Sequence, residues 1–220
     1  MSQSVRNLAA FDEDRLVEGF AVAPGTVTNN FDMIAEGRVQ VHVPSLPGID
    51  PWARISSVGA GSGRGFFWVP QMKDEVLVAF AQNDPTSAYI LGGLWSTAKR
   101  PPGPLPTDAI QKRVIKTGIA SAPGHEVEFD DVLQSVTITT STKQKISLDP
   151  LAITISNVAG TLKIVLDNTT QTVSIQAAAK LEFRAPEISL EGLSVAIKAT
   201  TVDIKSAGPC TVMGLPIKLN

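Results

Sequence analysis

The residues of this chain that could do chemistry are few and scattered. There are two histidines and one cysteine. His42 and His125 are far apart, and neither has a Ser, Cys or carboxylate beside it in a nucleophile or acid/base pattern, so both read as surface or strand-packing residues. Cys210, between Pro209 and Thr211 in an uncharged stretch, reads as a small apolar residue rather than a reactive thiol. Gly59 to Gly65 (GAGSGRG) superficially matches a phosphate-binding loop. It lacks the Gly-Lys-Ser/Thr ending, and FFWV follows where a helix should, so a hairpin loop is the expectation. The acidic pairs Asp74, Glu75 and Asp130, Asp131 flank strand-like runs and read as solvated. No catalytic residue and no cofactor follows from these positions.

The dominant signal is positional instead. From about Val132 to Leu219 the chain consists of short runs in which apolar and polar residues alternate. They include Val136 and Ile138, Ile146 and Leu148, Ile153 and Ile155, Ile164 and Leu166, and Val173 and Ile175. Period two places one face of a strand in a dry environment and the other in water. The later runs also keep a seven-residue register. Leu181, Ile188, Val195 and Val202 are each followed two residues on by Phe183, Leu190, Ile197 and Ile204. On a helix, residues two apart point roughly 200° apart and leave no single seam, whereas on a strand they share a face. With Pro186, Gly192 and Gly208 as breaks, the register predicts a β-solenoid and not a zipper.

Bulk properties narrow the classes. A chain of 220 residues allows one large or two small domains. A net charge of −2 gives no footprint for a polyanion partner, and aromatics at 5% suit thin β-structure. One cysteine excludes an intrachain disulfide framework and multi-cysteine metal sites. No run reaches the ~18 apolar residues of a membrane helix. With Asp12, Glu13 and Asp14 early in the chain, no secretory signal is expected, and synthesis in the cytoplasm is.

Residues 1–18 read as a polar arm with Leu8 and Phe11 as its apolar pair. Between residues 19 and 96 six runs are punctuated by Gly and Pro: Phe20–Thr28, Gly37–Val43, Trp52–Val58, Phe66–Val69, Asp74–Ala81 and Tyr89–Leu94. Turn signals are Pro24-Gly25, Pro47-Gly48, Gly61-Ser-Gly63 and Asp84-Pro85. Short strands at this spacing without a long amphipathic helix predict a small closed barrel. Val76, Val78 and Phe80 alternate with apolar Leu77 and Ala79, which implies that the outside of the barrel is also covered. Four prolines between Pro101 and Pro106 favour extended geometry, so residues 97–123 read as a linker.

An ordered series of motifs carries a resemblance: GRVQVHVP from Gly37, PWAR from Pro51, GFFWVP from Gly65, DEVLVAF from Asp74, Asp84-Pro85, and ILGGLW from Ile90. Together they resemble the OB-fold domain of the central-spike proteins of contractile injection systems, namely phage baseplate protein V and the spike half of VgrG. GHEVEFDD from Gly124 resembles the opening strand of that family's β-helix, and the ending from Gly208 to Asn220 is similar to how such spikes finish. The resemblance implies an all-β chain: an OB barrel followed, over residues 124–220, by an intertwined trimeric β-helix needle. It implies a baseplate component of a phage tail or related particle that pierces a target envelope mechanically. Three departures bear on this. Roughly thirty residues between Trp95 and Phe129 are too few for the lysozyme some spikes insert there. About twenty residues ahead of the barrel cannot supply a hub, so a separate hub protein is implied. The needle repeat is seven residues rather than the glycine-marked eight. The His-x-His with which some spikes hold iron is missing, so no metal is expected.

Burial arithmetic favours the trimer that the resemblance implies. A buried Val, Ile or Leu stabilises by about 1.5–3 kcal/mol, while ordering the backbone costs roughly 1–2 kcal/mol per residue. Two apolar side chains per seven residues leave one chain in deficit, and isolated short strands are marginal in water. The expected trimer core is Leu181, Phe183, Ile188, Leu190, Val195, Ile197, Val202 and Ile204. The stretch Ser206 to Ile217 carries no charge, and a solenoid end needs a cap. Val212, Met213, Leu215, Ile217 and Leu219 are therefore the expected docking surface for a PAAR-like tip protein. Two rival classes stay open: an OB-fold module for oligosaccharide or nucleic acid on a trimeric β-stalk, and a cell-wall hydrolase. The first is weakened by the missing basic groove, so no nucleic-acid partner is expected. The second lacks a catalytic constellation.

Overall fold

The computed structural model describes residues 22–103, 105–119 and 121–217. The expected arm of residues 1–18, with Leu8 and Phe11, lies outside them, as does Leu219 of the expected tip. Residues up to Ala178 and residues from Ala179 form separate compact units.

The first unit opens with a closed five-stranded barrel. Its strands are β1 (Val22–Asn29), β2 (Arg38–His42), β3 (Trp52–Ile55), β6 (Glu75–Phe80) and β7 (Ala88–Leu94), ordered β1-β2-β3-β7-β6. All neighbours are antiparallel except β3 and β7, which run parallel. Closure removes every free edge and turns alternation into a core. Val39, Val41, Val43, Val76 and Val78 are fully buried, with Phe80 and Ile90 packed among them. On the outside Leu77 and Ala79 are half-buried.

Three local expectations need correction. Pro24-Gly25 is not a turn but lies inside β1, opposite Leu77 and Val76. Proline suits a position without a ladder donor, and Gly25 is buried where a Cβ would press at 3.2 Å on the His42 carbonyl oxygen, Val43 and Val78. Phe66–Val69 is not a ladder strand. The glycine-rich loop before it forms the expected hairpin, β4 (Ala60–Gly61) with β5 (Arg64–Gly65), and the chain then continues outside any sheet. Finally, residues 97–123 are not linker throughout. A helical turn, α1 (Pro106–Gln111), is followed by β8 (Lys112–Ile119), because the proline run ends at Pro106 and the β-branched Val114 and Ile115 favour a strand.

From β8 the chain runs through β9 (Ala122–Asp130), β10 (Ser135–Thr139), β11 (Lys145–Leu148), β12 (Ala152–Ser156), β13 (Lys163–Asp167) and β14 (Thr172–Gln176). Each strand pairs antiparallel with the next, giving a seven-stranded meander. The winding expected from residue 124 therefore does not begin there: every ladder from β8 to β14 lies within the chain. Turn chemistry is the reason. The Asp130 carboxylate accepts the Val132 and Leu133 N–H groups, Asp149 those of Leu151 and Ala152, and Asp167 those of Thr169 and Thr170. Gln134, Lys143 and Gln171 take left-handed φ of 51°, 64° and 54° to complete three of the reversals. Such turns send the chain back beside itself instead of onward around an axis.

The second unit differs in kind. Among its described residues, 179–217, no strand or helix forms.

Candidate interaction surface

The registers of the meander sort its side chains onto two faces. Directly opposite residues share a face. One row runs Phe129, Val136, Leu148, Ile153, Leu166, Val173. The neighbouring row runs Ile115, Val127, Ile138, Ile146, Ile155, Ile164, Ile175. Within these two rows only Arg113, opposite Phe129, is polar. The middle row of the other face is Val114, Glu128, Thr137, Ser147, Thr154, Val165 and Ser174, polar but for its two valines.

The polar face is wet and charge-paired. Lys116 Nζ lies 2.6 Å from Glu126 and Lys112 Nζ 3.2 Å from Glu128. The Glu128 carboxylate, bonded to Lys112, raises that amine above its ordinary value. Backbone N–H groups, Thr170 foremost, hold the Asp167 carboxyl below its usual range and fix the β13–β14 turn.

The apolar face is uncovered. Not one of its side chains is buried by the chain, and Ile146, Ile164, Ile138, Ile155 and Ile175 are 36% to 47% exposed. Seven strands at about 4.8 Å spacing make a continuous apolar band roughly 29 Å across. Folded monomers rarely expose such contiguous patches, which mark interaction sites. From β10 to β14 the ladder is Ile, Leu and Val alone and offers no hydrogen bond to a small polar ligand. It can only be covered by another apolar surface.

The expected trimer-core residues are placed in the second unit. Leu181, Phe183, Ile188, Leu190, Val195, Ile197, Val202 and Ile204 are all exposed, none less than 51%. Val212, Met213, Leu215 and Ile217 of the expected tip are exposed as well. Reading by residue type missed the sheet face as a site because its strands were seen as separate runs. The signal that could have assembled it is the turn: Asp130 to Gln134 and Asp167 to Gln171 repeat one Asp-x-x-x-Gln spacing.

The residues considered for chemistry are dispersed. His42 Nδ1 lies 2.9 Å from Asp50 Oδ1 in an exposed pair, and His125 Nδ1 accepts the Ser141 N–H. Cys210 is exposed in the second unit. Among the described residues no group of three or more His, Cys, Asp or Glu is placed to hold a metal ion, and no helix is long and apolar enough to cross a membrane. On the barrel, Asp32 organises the β1–β2 loop. Its carboxylate accepts the Ile34, Glu36 and Arg38 N–H groups and pairs with the Arg38 guanidinium at 3.1 Å. Arg38, also stacked over Trp52, holds the Asp32 carboxyl down at about 2.

Comparison with known proteins places the barrel. Residues 23–95 match the family described as the type VI secretion system/phage-baseplate injector OB domain. The actin cross-linking toxin VgrG1 of Vibrio cholerae is 32% identical over 102 residues, covering 43% of this chain and 9% of that protein. The type VI secretion system spike protein VgrG3 of V. cholerae is 32% identical over 102 residues, 43% of this chain and 10% of that protein. The spike protein VgrG1a of Pseudomonas aeruginosa is 30% identical over 104 residues, 43% of this chain and 16% of that protein. The chain thus spans at most about a sixth of the length of these relatives.

Proposed function

We propose that this chain, which carries the OB domain of the phage baseplate V and VgrG spike family, is the central spike of a contractile tail or related injection particle. The observation that carries the reading is the uncovered apolar face of β8–β14 directly behind that barrel. Three copies related by a threefold axis can turn these faces inward and form a prism with a dry core and a polar outside. Covering the exposed half of thirteen such side chains adds on the order of 10 kcal/mol per chain, enough to oppose the entropy of association.

In this reading the needle has two sections. Over residues 112–176 each chain supplies a self-laddered face. Over 179–217 the single chain makes no strand, so backbone partners come from the other copies, and Leu181, Phe183, Ile188, Leu190, Val195, Ile197, Val202 and Ile204 line the axis. Extended backbone needs ladder partners, and a seven-residue register supplies them at regular height. The barrel, residues 19–96, and the arm, residues 1–18, mount on a separate hub protein. Val212, Met213, Leu215, Ile217 and Leu219 seat a PAAR-like tip protein. The role is mechanical: a stiff, interchain-laddered rod meets the target envelope transiently and unfolds slowly. The location is the baseplate of the particle, and no enzymatic role is assigned.

Light scattering of the full chain tests this. The expected result is a three-copy mass with β-type circular dichroism and a high melting temperature. A monomer that binds oligonucleotide in a salt-dependent way would replace the reading with the OB binding module. Clearing of peptidoglycan in a zymogram would replace it with the hydrolase.

A further inference from the structure

We infer that the groove between the barrel and β8 is a second contact between copies, occupied in the assembled spike by the neighbouring copy of this chain. This rests on the self-association proposed above. The groove has a volume of about 620 Å³ and is walled by Phe66, Trp68, Leu94, Trp95 and Ile115. Three observations point to a protein occupant of this kind.

The first is continuity. Ile115 belongs both to the groove and to the apolar row of the sheet. A neighbouring copy that covers Ile115 is brought to the mouth of the groove, so the apolar band continues from β14 across β8 onto the barrel. The second is the wall itself. Phe66 and Trp68 stand side by side with their rings parallel, 5.9 Å apart and 2° from coplanar in orientation. Trp95 is 73% exposed. Aromatics preorganised in this way are the usual anchors of protein interfaces. The third is backbone. The segment from Phe66 to Val69 has strand-like sequence but joins no ladder, and the N–H groups of Phe67, Trp68 and Val69 meet no acceptor among the described residues. A run of open donors beside an aromatic wall fits an extended stretch of another chain. The rim carries both signs, Asp74 and Glu75 against Lys99, Arg100 and Lys116, which suits a near-neutral copy of this chain better than a polyanion.

Hydrogen exchange on the full chain tests the proposal. The expected result is that the assembled trimer protects the Phe67, Trp68 and Val69 amides by about tenfold or more, and that this protection disappears in a monomeric variant carrying Ile146→Asp and Ile164→Asp. Trp68→Ala with Trp95→Ala is expected to keep the three-copy mass and lose the protection. A trimer whose three amides exchange as freely as a loose peptide overturns the proposal, leaves the self-association standing, and assigns the groove to a different chain. Protection that persists in the monomeric variant overturns it too, since the cover is then intrachain. Failure to form a trimer at all removes the self-association on which it rests.

Discussion

The barrel and the meander are written in the same alternating code, yet one finishes its core and the other does not. In the barrel, β1-β2-β3-β7-β6 closes on itself, and Val39, Val41, Val76, Val78 and Ile90 are at most 1% exposed. In the meander, seven strands lie in line, β8 and β14 have no second ladder partner among the described residues, and the isoleucine row is exposed. The difference lies in connectivity rather than composition. The barrel's chain crosses over to place β7 beside β3 in parallel, whereas tight turns at Asp130, Asp149 and Asp167 allow the meander only to add the next strand. In the proposed spike, a sheet that does not close on itself is closed by neighbouring copies. The chain then separates a module that completes its own core from one that association completes.

The comparison is broken most severely by charging the open face. Ile146→Asp with Ile164→Asp would put two carboxylates into the proposed dry axis, where an unpaired charge is not tolerated. The full chain is expected to sediment as a monomer while the barrel keeps its fold. Next in size is a cavity in the closed core. Ile90→Ala is expected to destabilise the barrel by about 2–5 kcal/mol in a denaturant titration and to leave the number of chains unchanged.

A pH titration sharpens the barrel side of the contrast. The Asp32 carboxyl sits at about 2 when folded against an ordinary 3.8, chiefly because of Arg38. A depressed carboxyl stabilises in full above its unfolded value and loses that contribution as pH falls through the folded one. The barrel's denaturation midpoint is thus expected to decline between about pH 4 and pH 2. Asp32→Asn should lower the midpoint at neutral pH and flatten this decline. The smallest effect belongs to the wet face of the sheet. Lys116→Ala, which removes the half-exposed pair with Glu126, is expected to change stability by less than about 1 kcal/mol and assembly not at all.

Much of this was legible in the chain because the period-two signal is local. The buried faces of β2 and β6 are the valines that alternation singles out, and β10 to β14 fall on the runs read as strands. What was not legible depends on long-range geometry. Pro24-Gly25 reads as a turn by type, and only the closeness of Val43 and Val78 explains a glycine inside a strand. Phe66–Val69 has strand residues but no ladder neighbour among the described residues. The turns at Asp130 and Asp167 decide meander against solenoid, a choice that alternation alone cannot make because both architectures use the same period. For the eight expected core residues between Leu181 and Ile204 the sequence pattern is clear, while in the single chain all eight are exposed.

In the proposed spike the isoleucine face is covered and the threonine and lysine face is not. Two adjacent β11 positions test it, since Lys145 and Ile146 are both exposed in the single chain and point to opposite faces. In a Cys210→Ser background, Lys145→Cys and Ile146→Cys would each be treated with a maleimide under native conditions. Rapid labelling is expected at 145, and none at 146 until the protein is denatured. Equal labelling of both positions in the native protein would contradict it.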